Sequence, residues 1–166
     1  MSDSTSAAQE ITIDVPEGTL GGTLTLSRSP RGIVLFAHGS GSSRHSPRNR
    51  HVGSILNRAG LGTLLMDLLT QEEEAIDQYT RQYRFDIDRL SGRLVNAIDW
   101  LGNKPETGAL PIGLFGASTG AAAALRAAAA RPGERQFRCQ SQAAPIWPET
   151  RCPRSKRRPC SSSRPR

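Results

Sequence analysis

Pro111-Ile112-Gly113-Leu114-Phe115-Gly116-Ala117-Ser118-Thr119-Gly120-Ala121 is the stretch on which the reading of this 166-residue chain turns. A short apolar run ends in Gly-Ala-Ser-Thr-Gly, and an alanine-rich segment of helical character follows at once. The order is strand, sharp turn, helix, with Ser118 at the apex. The G-x-S-x-G spacing has a mechanical reason. A serine on so tight a turn has strained backbone angles, and bulky side chains two positions to either side would collide. Gly116 and Gly120 remove those collisions and leave the Ser118 hydroxyl clear. The helix that follows aims its free N–H groups and its positive end at charge developing beside the serine. The same pattern also fits a glycine-punctuated turn with an ordinary capping serine.

Upstream, the chain alternates sheet and helix signals. Ile11-Thr12-Ile13-Asp14-Val15 alternates apolar and polar, as Leu20–Leu26 does more loosely, with Pro16-Glu17-Gly18 between them. That predicts an antiparallel hairpin. Gly32–Ala37 is a continuous apolar run, as expected of a strand buried on both faces, and it leads into His38-Gly39-Ser40-Gly41-Ser42-Ser43. Ser46-Pro47 reads as a helix start, with Val52, Ile55, Leu56 and Ala59 on one face and Gly60 at the end. Leu61–Met66 predicts a second buried strand closing at Asp67. Residues 70–84 are polar and are expected to form a surface excursion, with Glu72-Glu73-Glu74 a solvated face. Ile87, Leu90, Leu94, Ile98 and Leu101 recur at three and four, an amphipathic helix ending near Gly102. Hairpin followed by β-α-β-α-β-α predicts the α/β class, with a mostly parallel sheet and helices on both faces.

Composition divides the chain near Glu134. Residues 135–166 hold nine Lys/Arg against one acid, Glu149, so the formal +7 of the chain belongs wholly to this tail. All three cysteines, Cys139, Cys152 and Cys160, also lie there. The expected organisation is a disordered leader over 1–10, an α/β domain over 11–134 and a basic, disordered tail over 135–166. The N-terminus lacks a basic region followed by an apolar one, and no apolar stretch approaches the roughly 20 residues of a membrane helix. The expectation is a cytoplasmic protein with no membrane partner. His38, His45 and His51 lack metal-ligand spacing, and the cysteines are far away, so no metal and no cofactor are expected.

Two loops, His38–Ser43 and Gly116–Gly120, would meet at the carboxyl ends of their strands. Together, Phe36-Ala37-His38-Gly39-Ser40-Gly41 and Phe115-Gly116-Ala117-Ser118-Thr119-Gly120 resemble the α/β-hydrolase superfamily. More narrowly they are similar to its dienelactone hydrolase-like branch, over about residues 20–133. The resemblance implies a partial α/β-hydrolase fold acting on a small-molecule ester or lactone. It implies Ser118 as nucleophile and an oxyanion hole from the backbone N–H groups of Thr119 and Ser40. His38 and Gly39 would support the first loop, and Gly116 and Gly120 the turn. His45 and His51 read as surface or substrate-rim residues, and Asp67 as either a site residue or a loop-holding one.

The family's order is Ser, then Asp or Glu, then His. After Ser118 there is no histidine and no aspartate, and the acids are Glu134 and Glu149. The tail suggests why. Back-translated through GC-rich codons and shifted by one base, Ala143–Ser163 can end in Ala-Pro-Thr-Leu-Leu-Leu-Val, similar to the family's next buried strand. The expectation is a frameshifted, truncated hydrolase that is inactive as written. The alternative is a non-catalytic binding module whose basic tail grips nucleic acid or an acidic partner. With Phe137 and Trp147 as the tail's aromatics and no recognisable motif, nucleic acid is the weaker expectation.

Overall fold

The computed structural model describes residues 7–132 and the backbone of residues 139–141. The expected leader over 1–6, most of the basic tail, and Cys152 and Cys160 lie outside the described residues. One sheet organises the rest, with strand order β1-β2-β4-β3-β5-β6. Strands β1 (Ala7–Val15) and β2 (Gly18–Leu26) form the hairpin, closing from Val15 opposite Gly18. The hairpin begins earlier than the alternation predicts. Ala7–Glu10, assigned to the leader, extend β1 by pairing with Thr23–Leu26 while staying exposed, so no apolar period marks them.

Strand β2 runs antiparallel to β4 (Gly62–Met66), while β3 (Ile33–Ala37) runs parallel to both β4 and β5 (Ile112–Gly116). A three-residue strand, β6 (Cys139–Ser141), pairs in parallel with β5 from within the segment read as tail. The sheet is therefore mostly parallel with an N-terminal antiparallel hairpin, as the sequence predicts.

Four helices cover it: α1 (Pro47–Arg58), α2 (Gln71–Thr80), α3 (Ile87–Gly102) and α4 (Thr119–Ala130). The strands alternate, and so the core has two parts. Ile33, Leu35, Leu64, Ile112 and Leu114 meet Leu94, Ala97, Leu101, Ala123 and Ala127 of α3 and α4. On the other face Phe36, Leu65 and Phe115 pack with Val52 and Leu56 of α1. There the Phe36 and Phe115 rings lie 4.9 Å apart and tilted by 49°.

Helix α1 begins as predicted, with the Ser46 hydroxyl accepting from the Asn49 N–H and Pro47 in the first turn. Its inward face differs from the prediction. Asn49 and Gly53 are buried, whereas Ile55 and Ala59 are exposed. A Cβ on Gly53 would lie 3.5 Å from Leu65 Cδ1, so the helix seats on the sheet through its glycine and turns Ile55 outward.

The expected excursion over 70–84 is instead largely helix α2. Thr70 and Glu73 form a capping box: Glu73 N–H donates to the Thr70 hydroxyl, and Thr70 N–H to the Glu73 carboxylate. Nor is the acidic run a solvated face throughout, because Glu73 is buried between Arg89 and Arg93 of α3.

Candidate active site

Parallel strands β3 and β5 are neighbours in register, Ala37 opposite Gly116, so the loops that follow them leave the same end of the sheet together. From β3 the chain crosses to β4 on one side, and later enters β5 on the other. Such a reversal opens a crevice at the carboxyl ends of the two strands.

At that point Ser118 has φ 52° and ψ −125°, a left-handed conformation that a β-carbon makes costly. It is exposed, and its side chain makes no capping bond. Its carbonyl accepts from the N–H groups of Ala121 and Ala122, which locks the apex into the first turn of α4. Glycine makes the turn possible on both sides. A Cβ on Gly120 would overlap the carbonyl oxygens of Ala37 and His38, and one on Gly116 would lie 2.7 Å from Ala121 Cα. The first loop closes against the second at Gly39, where a Cβ would sit 3.1 Å from the Ala117 carbonyl oxygen and 3.4 Å from Ser118 Cβ.

Two backbone donors remain at this contact. Among the described residues, neither the Thr119 N–H nor the Ser40 N–H makes a hydrogen bond. The Thr119 hydroxyl oxygen is likewise buried without a partner.

His38 bridges the loops through the backbone. Its Nε2 accepts from the Leu68 N–H at 3.1 Å, and its Nδ1 lies 3.0 Å from the Gly39 carbonyl. An acceptor at one nitrogen and a donor at the other define the neutral ring with the proton on Nδ1. Both nitrogens are thereby engaged.

Asp67 accepts from the Arg44 backbone N–H at 2.9 Å and from Arg44 Nη1 at 2.5 Å. It ties the first loop to the end of β4. His45 Nδ1 lies 2.7 Å from Arg50 Nη2, and His51 is exposed on α1.

A cavity of about 20 Å³ adjoins the contact, lined among others by Gly39, Ser40, Thr119, Leu68, Asp77 and Arg84. Asp77 and Arg84 were not foreseen from sequence, although the Thr70-x-x-Glu73 box announces the helix that carries Asp77. The buried Asp77 carboxylate accepts from the Tyr83 N–H at 2.7 Å, the Arg84 N–H at 3.1 Å and Arg84 Nε at 2.5 Å. Burial pushes its pKa up, and these bonds and the Arg84 charge outweigh that, leaving the carboxyl below its ordinary value. Nearby, burial lowers the Arg89 pKa, and Glu73, Asp86 and Glu17 more than restore it. A wider groove of about 390 Å³ lies between the hairpin and α3, lined by Asp14, Pro16, Asn96 and Trp100 among others, and contains no residue of the Ser118 turn. Among the described residues no three His, Cys, Asp or Glu side chains gather as a metal site, and no helix is long and apolar enough to cross a membrane.

No family model matches the chain. A crystal structure of a dienelactone hydrolase from Anabaena variabilis is 55% identical, with a TM-score of 0.79, over 82% of this chain and 62% of that one. An esterase of Pyrococcus furiosus shares the fold at 22% identity and a TM-score of 0.59, over 74% of this chain and 46% of its own. So does a carboxyl esterase of Bacillus coagulans, at 23% and 0.60, over 74% and 40%. Two strains of Mycobacterium tuberculosis have a protein, provisionally named a phosphoribosyl transferase, that is 53% identical over 121 residues, 73% of this chain and 26% of theirs. The chain thus spans about a quarter of these curated relatives. Their name describes a protein most of which lies outside the match.

Proposed function

We propose, from the premise that this chain belongs to the dienelactone hydrolase-like branch of the α/β-hydrolase superfamily, that it carries the nucleophile half of a serine hydrolase site for carboxylic esters or lactones. Ser118 Oγ attacks the acyl carbonyl, and the carbonyl oxygen becomes the oxyanion of a tetrahedral intermediate. The N–H groups of Thr119 and Ser40 receive that charge, each contributing on the order of 3 kcal/mol to lowering the barrier. The observation that carries this reading is the left-handed Ser118 between Gly116 and Gly120, with Gly39 packed against it. Ordinary capping does not account for it, because the serine side chain caps nothing.

A serine hydroxyl needs a base to lose its proton. His38 is committed to the backbone through both nitrogens, and no histidine follows Ser118. This polypeptide by itself is therefore proposed to bind and orient an ester without turning it over. Labelling by a fluorophosphonate, read by intact mass, is expected at Ser118 and is lost in Ser118→Ala. Label on another residue, or none, would sink the nucleophile assignment. Steady hydrolysis of p-nitrophenyl acetate above the Ser118→Ala background would overturn the missing-base reading instead.

The segment from about residue 135 is proposed to be out of frame with the ancestral hydrolase. The nucleotide sequence from codon 130 onward tests this, since another frame should continue into a strand, an Asp and a later His.

A further inference from the structure

Helix α2 is inside out. An amphipathic surface helix turns its apolar residues to the core, but the buried residues of α2 are the carboxylates Glu73 and Asp77. Arg89 and Arg93 hold the first and Arg84 the second. With two acids facing inward four residues apart, the opposite side of the helix carries Gln71, Ala75 and Tyr79, with Ile76 on its shoulder. Tyr79 is 88% exposed and Ile76 44%. No apolar residue of α2 is buried.

We propose that this face is a self-association surface, on which α2 pairs antiparallel with α2 of a second copy. Charge selects that occupant. Glu72 and Glu74 stand at the start of the helix and Arg81 just past its end, and among the described residues none of the three forms a salt bridge. An antiparallel copy about a two-fold axis near Ile76–Asp77 sets Glu72 of each chain against Arg81 of the other and opposes the two helix dipoles. The same register sets Tyr79 of one copy over Ala75 of the other, where the small side chain admits the ring. A purely acidic or purely basic partner would satisfy one end and repel the other.

The helix is about 15 Å long, short of the roughly 800 Å² per partner that stable complexes bury. Association is therefore expected with a Kd on the order of 10 μM or weaker.

Sedimentation of the full chain between about 1 and about 100 μM tests the proposal. The mass should rise toward a dimer across the range. Tyr79→Lys, at a position too exposed to matter for folding, should keep the chain monomeric. Glu72→Arg should weaken the dimer by about tenfold, a change worth about 1.4 kcal/mol, and adding Arg81→Glu should restore it. A monomer at every concentration overturns the proposal, as does an oligomer indifferent to Tyr79→Lys. A charge swap that fails to restore association overturns the antiparallel register.

Discussion

The Ser118 turn and the α2 segment border the same small cavity, yet opposite means hold them in place. The turn depends on what is missing: no side chain at Gly116, Gly120 or Gly39, so that backbone lies on backbone. The α2 segment depends on charged side chains driven inward, Glu73 on Arg89 and Arg93, and Asp77 on Arg84 and two backbone N–H groups. A site fixed by steric exclusion is indifferent to proton concentration, whereas one fixed by carboxylates is not. The contrast suggests why a hydrolase would place its nucleophile on the first kind of support and the wall of its pocket on the second.

The largest expected effect lies on the charged side. Glu73→Ala leaves Arg93, almost wholly buried, without its carboxylate, and should cost about 3–5 kcal/mol in a denaturant melt. A loss below about 1 kcal/mol would mean that these charges behave as surface pairs. Gly120→Ala comes next. Its Cβ has no space beside two carbonyl oxygens, so a loss near the upper end of about 1–3 kcal/mol is expected, together with loss of fluorophosphonate labelling at Ser118. Stability that is unchanged would show that α4 can slide, and would break the comparison.

Asp77→Asn should cost about 2 kcal/mol, because charge-assisted bonds to Arg84 are lost. It should also change the acid response. The folded-state pKa of Asp77 lies below its unfolded value, so its contribution is fully present above about pH 4 and fades as pH falls through the lowered value. Melts of the Asn variant should lose that part of the acid dependence, while Gly120→Ala should keep the parent's slope. The smallest effect is a gain. Arg81 caps α2 at φ 58°, and Arg81→Gly should stabilise by up to about 1 kcal/mol.

These two regions also differ in how far the sequence discloses them. The turn is legible because steric demand writes itself as composition: glycine two before and two after a serine, next to an apolar run. Helix α3 is legible for the usual reason, with Leu90, Leu94, Ile98 and Leu101 all buried at helical spacing. Helix α2 was misread because the period that marks a helix is an apolar one, and here the inward positions are acids. Its capping box was the available signal. The face of α1 was misjudged at Ile55 for a related reason, since close approach through Gly53 and Asn49 leaves no hydrophobic trace. Which cations would neutralise Glu73 and Asp77 could not be read either, because Arg89, Arg93 and Arg84 reach them only once α2 and α3 have docked.

The position of β3 between β4 and β5 has a consequence in time. One edge of β3 is covered by β4, which follows at Gly62, but the other waits for β5, about 80 residues later in the chain. At a synthesis rate on the order of 10 residues per second, that edge stays open for roughly 8 seconds. Throughout that interval the nascent chain presents the most apolar strand of the sheet with half its ladder unmade, so a chaperone that shields strand edges has its window there.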